Sequence, residues 1–475
     1  MLAAQAPLIL TTGAIARYPL GKKYQFATKT VQFADFSRQT AAQLANPLGQ
    51  WVLALSLLQD SEANDWLDFF KLQQGMFSPF SFVDPSDNLF AFSEAFENSI
   101  WNNGGLSVGK NYALQSQSIG VSPWTTSESG GASLPTVTQN ISSPVAPDGT
   151  QTATQIAFGA TTGSESISVY QPSITPPVVA SMPFTYSIFL RASASTTILI
   201  IIEDQSGAVI GTQTVSLTTS WQRFSVSGTS GGGATSLTIF INQTNSQSAK
   251  TVYSWGAQIE YGTVVSDYTL TTTSANAIQV ADPFWTQAVS AVGASFGLNS
   301  GLPKRGRQIV QTASGSGNDI FQQIGIAPGG SGNSRTFGMQ FTLSVWLKSG
   351  SSSPQVDLFL EDTYGSLGLG SESVFEAGPT PTSSWVRSSQ TGRFSVSNPA
   401  SGIFAGFLVP SSSQGTTFYM FGAQLEAAGT MSKYKDMQTS YCGFHPKCFF
   451  QTDEFDQNVS EFNVNSLQLV IEESN

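Results

Sequence analysis

"YSWGAQIEYG" occupies Tyr253–Gly262 and "YMFGAQLEAA" occupies Tyr419–Ala428, 166 positions apart. A tyrosine follows each at the same distance, Tyr268 and Tyr434. Working outward, the likeness continues in the same order. "FTYSIFLRAS" (Phe184–Ser193) matches "FTLSVWLKSG" (Phe341–Gly350), and "IIIEDQSG" (Ile200–Gly207) matches "LFLEDTYG" (Leu358–Gly365). "TTSWQR" (Thr218–Arg223) matches "TSSWVR" (Thr382–Arg387), and "RFSVS" begins at Arg223 and again at Arg393. The offsets drift between 157 and 170, as small loop insertions produce. A repeat on this scale means two homologous domains.

Each matched segment alternates. In "FTYSIFLRAS", Phe184, Tyr186, Ile188 and Leu190 point one way and Thr185 and Ser187 the other, the period of a half-buried strand. Glu-Asp-x-x-Gly after an apolar run reads as a hairpin turn. Many short strands joined by Gly/Ser turns give β-sandwiches or jelly rolls. In the repeated decapeptide, Trp255 and Ile259, like Phe421 and Leu425, stand four apart and are expected on one face of a strand. Gly256 and Ala257 would leave room for close packing across the sheets. The motif therefore reads as a core strand of a duplicated fold.

The chain has 475 residues, more than one ordinary core holds. Its hydrophobic share is 40%, ample for cores, while only 11% of residues are charged and 44 are glycine, which describes a turn-rich β-protein with an uncharged polar surface. Twenty basic and 31 acidic residues give a net charge of −11 with no basic stripe, which argues against nucleic acid as a partner. The single histidine, His445, closes most routes to a catalytic triad. Two cysteines, Cys442 and Cys448, cannot staple a protein of this size, so packing must stabilise it. No segment approaches the ~20 apolar residues of a membrane-spanning helix. The N-terminus has no basic residue before Arg17, and its apolar run is broken at Gln5, Pro7 and Thr11, so a signal peptide is not expected.

The two ends differ from the repeats. "YQFATKTVQFADFSRQ" (Tyr24–Gln39) reads as a strand rich in aromatics, and "GQWVLALSLLQD" alternates at Trp51, Leu53, Leu55 and Leu57. "SEANDWLDFFKLQQG" (Ser61–Gly75) opens on a capping serine and spaces Trp66, Phe69, Phe70 and Gln73 for one helix face. "SLQLVIEES" (Ser466–Ser474) is a strand in need of a sheet, and the N-terminal region is the simplest partner. The expectation is a mainly β protein. One small domain with one helix is built from 1–88 and 437–475, and two β-sandwiches span 89–273 and 274–436. The first copy carries extra chain holding "SIGVSPWTTSESGGAS", read as a loop with Trp124 in its middle.

At Trp51–Asp60, Trp66–Gly75 and Phe77–Asn88 the order W-x-L-x-L-x-L-L-x-D, E…W…FF…Q-G and F-x-F-x-D-P-x-D-N resembles the tailed-bacteriophage distal tail proteins. The resemblance covers about a tenth of the chain. It implies a structural, non-enzymatic protein of the virion tail tip. Copies would form a ring, of six by analogy, in contact with tail-tube and tail-hub proteins. The repeats resemble carbohydrate-binding-module-like domains carried on phage tail proteins. "NLFAFSEAFENSIW" (Asn88–Trp101) follows the opening pattern of those domains, and "ADPFW" (Ala281–Trp285) keeps only its tryptophan. Host-surface polysaccharide is the implied partner, and no cofactor is implied. A glycan-degrading tail enzyme and a bacterial surface adhesin are the alternatives.

Sugar-binding sandwiches stack exposed aromatics on pyranose rings. Trp124, Tyr170 and Tyr364 stand in loop-like or turn-like contexts and are the candidates; Trp101, Trp221, Trp255, Trp346 and Trp385 are assigned to cores. Glu203–Asp204 and Glu361–Asp362 recur at one position and could join a Ca²⁺ shell of six to eight oxygens, or simply solvate a turn. Cys442, His445 and Cys448 are spaced by threes and could hold a metal, but a fourth ligand is missing, so no metal is expected.

Overall fold

The computed structural model describes residues 4–5, 20–26, 28–42, 48–285, 304–315, 317–324, 340–361, 373–394, 403–410, 412–439, 442–461 and 464–474. It is mainly β. Among the described residues there is one α-helix, Asp60–Gln73.

A seven-stranded sheet takes strands from both ends of the chain. Its order is Ala4–Gln5, Phe80–Val83, Phe444–Phe450, Val464–Glu473, Leu48–Leu58 and Leu20–Gln25, with Gln457–Glu461 beside Val464–Glu473. Alternation buries Trp51, Leu53 and Leu55. Leu57, expected on the same face, is exposed because its own backbone is left-handed (φ 56°) and the ladder to Val464–Glu473 slips there; Leu58 is buried instead. The helix begins one residue before Ser61. Glu62 closes it by accepting the Gln59 N–H at 2.9 Å, and a left-handed Gln74 ends it. Trp66, Phe69, Phe70 and Gln73 are its buried face, as their spacing required, with Phe69 edge-on to Phe80 at 5.2 Å and Phe70 against Phe450 at 4.9 Å.

Two sandwiches follow, but strand pairing moves their boundary. The first consists of a sheet ordered Thr125–Ser129, Ser166–Ile174, Leu237–Thr244, Thr196–Asp204, Val209–Leu217, facing a sheet ordered Thr136–Thr138, Thr154–Phe158, Lys250–Tyr261, Pro183–Ala192, Gln222–Thr229. The second repeats this order: Asn318–Ile324, Ile403–Val409, Asp357–Glu361 and Ser373–Ala377 face Gly306–Gln311, Thr417–Glu426, Gln340–Ser349 and Val386–Arg393. Residues 88–108, assigned above to the first sandwich, belong to the second. Asn102–Gly104 pairs with Asn318–Ile324, and Leu106–Val108 with Gly306–Gln311. The Asn88 amide donates to the carbonyls of Ala423 (2.9 Å) and Lys435 (3.2 Å).

The first sandwich has its own opening. Asn111 donates to Ala257 (3.1 Å) and Thr269 (2.8 Å), and Ser116 meets the Tyr268 hydroxyl at 2.7 Å, as Ser93 meets Tyr434 at 2.9 Å. The whole first sandwich is thus inserted into the second. Its entry and exit run side by side, with Lys110–Asn111 paired to Asn276–Ala277 and the Ile278 N–H donating to Gly109 at 2.8 Å.

The repeated decapeptide now has a physical reason. Gly256 and Gly422 are left-handed (φ 66° and 63°) and sit at a bulge. An extra residue flips the faces of a strand. Trp255 and Ile259 therefore do not share a face: Ile259 joins the main core, while Trp255 packs outside it with Phe189 and Tyr268. Beyond the bulge, outward-facing Gln258 and Glu260 hold the returning chain, Gln258 accepting from the Thr269 N–H at 2.8 Å and Glu260 from the Ser266 N–H at 3.0 Å. Gln424 and Glu426 do the same for Lys435 and Ser432, at 2.6 and 2.9 Å. Arg223 and Arg387 complete each copy, each donating to a carbonyl of the returning chain at 2.7 Å. The motif is a fastening, repeated because the fold is.

Candidate functional site

The sequence candidates fall in different places. Trp124 is not on an exposed loop. It is 4% exposed in the core of the first sandwich, and its indole donates to the Leu114 carbonyl at 2.8 Å. It is the counterpart of Trp101, which donates to Phe92 at 3.1 Å. Tyr364 and Asp362 lie outside the described residues. Asp204 is half-buried at the end of its strand, its carboxylate accepting first from the Ser206 hydroxyl at 2.5 Å and then from the Ser206 and Ala208 N–H groups at 2.8 and 3.1 Å, which holds its pKa below the usual carboxylate range. Glu203 is shifted upward by burial and then by Asp204.

Cys442, His445 and Cys448 are not gathered around a common point. The His445 ring lies against Trp51 (4.3 Å) and its Nδ1 meets Glu473 at 3.0 Å, tying two strands of the end-built sheet. Both thiols are free, and burial pushes the Cys442 thiol up to about 11, away from the thiolate that metals prefer. Among the described residues, no group of three or more His, Cys, Asp or Glu side chains is arranged to hold a metal ion.

Tyr170 is different. It is half-buried on Ser166–Ile174, on the side of its sheet facing away from the core. Ile167 and Val169 point inward, so Ser166, Ser168 and Tyr170 point out. Strand register places Phe240 directly opposite Tyr170, and the rings stack with centroids 5.2 Å apart and planes 17° apart. The row continues across five strands as Thr125, Tyr170, Phe240, Ile201 and Thr212. Beside it runs Ser127, Ser168, Asn242, Leu199 and Thr214.

The Asn242 carbonyl oxygen accepts from the hydroxyls of Ser166 (2.9 Å) and Ser168 (3.1 Å), which orients its amide; the amide nitrogen has no partner among the described residues. The result is an apolar strip of two stacked rings and two aliphatic side chains, bordered by hydroxyls and one oriented amide. A ring can cover the C–H face of a sugar while the amide and hydroxyls meet its O–H groups. Phe240, Asn242 and Ile201 were missed above. Leu237, Ile239 and Ile241 mark the inward face of their strand, so an aromatic at position 240 was readable as outward-facing.

The same side of the second sandwich carries Phe321, Phe359 and Phe404, a cluster separate from the core with ring centroids 6.0 to 6.2 Å apart where they meet Phe321. Asp357 lies on the same face, one turn of the alternation from Phe359, and accepts from Gln355 at 2.7 Å.

No family model and no curated protein matches the sequence. Among solved structures, the chain is similar to the enzymatically active domain of bacteriophage CBA120 tailspike protein 4, at 18% identity and a TM-score of 0.24, over 31% of this chain and 21% of that one. The chain thus spans about a fifth of that domain's length. It is also similar to a tandem of two family 22 carbohydrate-binding modules from Paenibacillus barcinonensis Xyn10C, at 14% identity and a TM-score of 0.24, over 68% of this chain and 99% of that one. A family 61 module in complex with β-1,4-galactotriose matches at 14% identity and a TM-score of 0.24, over 31% of this chain and 97% of that one. The structural neighbours therefore include a phage tailspike domain and carbohydrate-binding modules.

Proposed function

We propose that the chain is a structural, glycan-binding component of a phage tail tip. Its end-built domain assembles with further copies into a ring at the end of the tail tube, and the first sandwich turns the Tyr170–Phe240 face toward host-surface polysaccharide. The observation that carries the binding reading is that stacked pair on the outward side of a sheet, beside an amide held by two hydroxyls. The two rows contain no carboxylate and the outward side of Thr196–Asp204 adds one, Glu203 beyond Ile201, whereas glycoside hydrolysis needs a pair of them across the scissile bond. That supports binding rather than cleavage. The assembly reading is supported by the distal-tail resemblance of Trp51–Asn88, whose segments all lie on or beside the end-built sheet.

A shallow face of this kind reaches only about millimolar affinity, near 4 kcal/mol. A ring multiplies it through effective concentration. Calorimetric titration of the full chain with host-surface polysaccharide, paired with a reducing-end assay on the same mixture, tests the reading. Saturable weak binding without release of reducing ends is expected. Steady release of reducing ends would make the protein an enzyme, and absence of binding would remove the site.

A further inference from the structure

Exposed large apolar side chains concentrate in two places on the end-built domain. One is the hairpin of Thr28–Gln32 and Arg38–Ala42, which among the described residues pairs only with itself. Phe33 and Phe36 stand at its tip, 49% and 82% exposed, with Phe26 and Val31 exposed along its stem. A lone two-stranded hairpin is marginally stable in water and needs a surface to pack on. The other is a hollow of about 610 Å³ where the helix ends, lined by Phe70, Lys71, Gln74, Met76, Phe77 and Asp453. Phe77 at its lip is 76% exposed.

The two features complement each other in charge as well as polarity. The hairpin carries Lys29 and Arg38 against one Asp35, with Lys23 just before it, in a chain with only 20 basic residues. The lip of the hollow runs on into Glu454 and Asp456, both exposed, beside Asp453. Chains with a net charge of −11 repel one another unless a basic element of one meets an acidic element of the next.

We propose that the hairpin of one copy seats Phe36 and Phe33 in the Phe77-lipped hollow of a second copy. This rests on the reading of the end-built domain as an assembly module and names the contact it would use. Because knob and hollow are different surfaces, the association is head-to-tail, the kind that closes into rings.

Sedimentation of four full-chain samples tests it: wild type, Phe36→Asp, Phe77→Asp, and a 1:1 mixture of the two variants. Both positions are exposed, and a single cooperative melting transition confirms that each variant is folded, whatever stability assembly adds to wild type. Wild type is expected as a closed oligomer and each variant alone as a monomer. The mixture should give a dimer and nothing larger, since Phe77→Asp keeps a sound knob and Phe36→Asp a sound hollow. Variants that assemble like wild type would overturn the contact while leaving ring assembly standing. A mixture that stays monomeric would show that knob and hollow are not partners. A wild type that stays monomeric at every concentration would remove both the contact and the ring.

Discussion

Replacing Trp124 by alanine separates its two possible roles. The side chain is 4% exposed among Tyr112, Ile119 and the strands of the first sandwich, and its indole donates to Leu114. Truncating a packed tryptophan costs about 3–5 kcal/mol. The Leu114 carbonyl loses its donor as well, adding about 1 kcal/mol. A loss of roughly 4–6 kcal/mol follows, comparable to the whole stability of a modest domain, which lies at the lower end of about 5–15 kcal/mol. With a urea dependence of about 2 kcal/mol per molar for a domain of this size, the unfolding midpoint of the first sandwich should fall by roughly 2–3 M.

The assay is hydrogen exchange by mass spectrometry across a urea series, which reads Thr196–Asp204 and Lys250–Tyr261 separately from Leu48–Leu58. Because the first sandwich is inserted through a paired neck at 110–111 and 276–277, the end-built sheet should keep its protection. A midpoint shift below about 0.5 M, together with loss of polysaccharide binding, would refute the reasoning and return Trp124 to the binding surface.

Gly256→Ala and Gly422→Ala should each destabilise their own sandwich by about 1–3 kcal/mol in denaturant unfolding, since a left-handed alanine is strained and its Cβ would meet Phe189 or Tyr434 at 3.0 Å. Excising residues 110–277 and joining Gly109 to Ile278 should leave the second sandwich and the end-built sheet folded, because those two residues are already hydrogen-bonded; loss of cooperative melting would contradict the nesting. Glu94 gives a pH dependence. Burial first, then Asp436, raises its pKa to about 7 although Arg305 lies 3.0 Å away, because that guanidinium is shared with Asp282 and Asp436. A carboxyl with a raised folded pKa favours the fold below its unfolded value and weakens it as pH climbs to the folded one. Stability should therefore decline between about pH 4.5 and 7, and Glu94→Gln should remove that slope and gain about 1–3 kcal/mol at pH 8, allowing for solvent screening. A slope unchanged in the variant would assign it to another group.

The strands and the helix were readable because burial imposes a period, and Phe184–Leu190 and Trp66–Gln73 obey it. The nesting was not. Asn88, Ser93 and Trp101 share their spacing with Asn111, Ser116 and Trp124, but these openings stand 23 positions apart while every other matched pair stands near 160. Insertion of one sandwich inside the other places the two openings side by side, and an alignment at constant offset reads the second as surplus loop. The bulge was hidden for another reason: a glycine permits a left-handed turn without requiring one, so period two was carried straight through Gly256. For the site, Tyr170 was found as an aromatic in a polar setting. Its partner Phe240 is 70 positions away, and only strand register brings the two rings together.

The most direct measurement is titration of host-surface polysaccharide into full-length wild type, Tyr170→Ala, Phe240→Ala and Asn242→Ala, with melting curves recorded for each. The two rings are half-buried on the outward side of the sheet, so their removal should leave the melting temperature within a few degrees of wild type. Loss of either stacking ring should weaken binding by about tenfold or more, the equivalent of roughly 1.4 kcal/mol. Asn242→Ala should weaken it less, by an amount nearer one neutral hydrogen bond, about 0.5–1.5 kcal/mol. Binding that persists unchanged in both ring variants would contradict the assignment of this face as the glycan site.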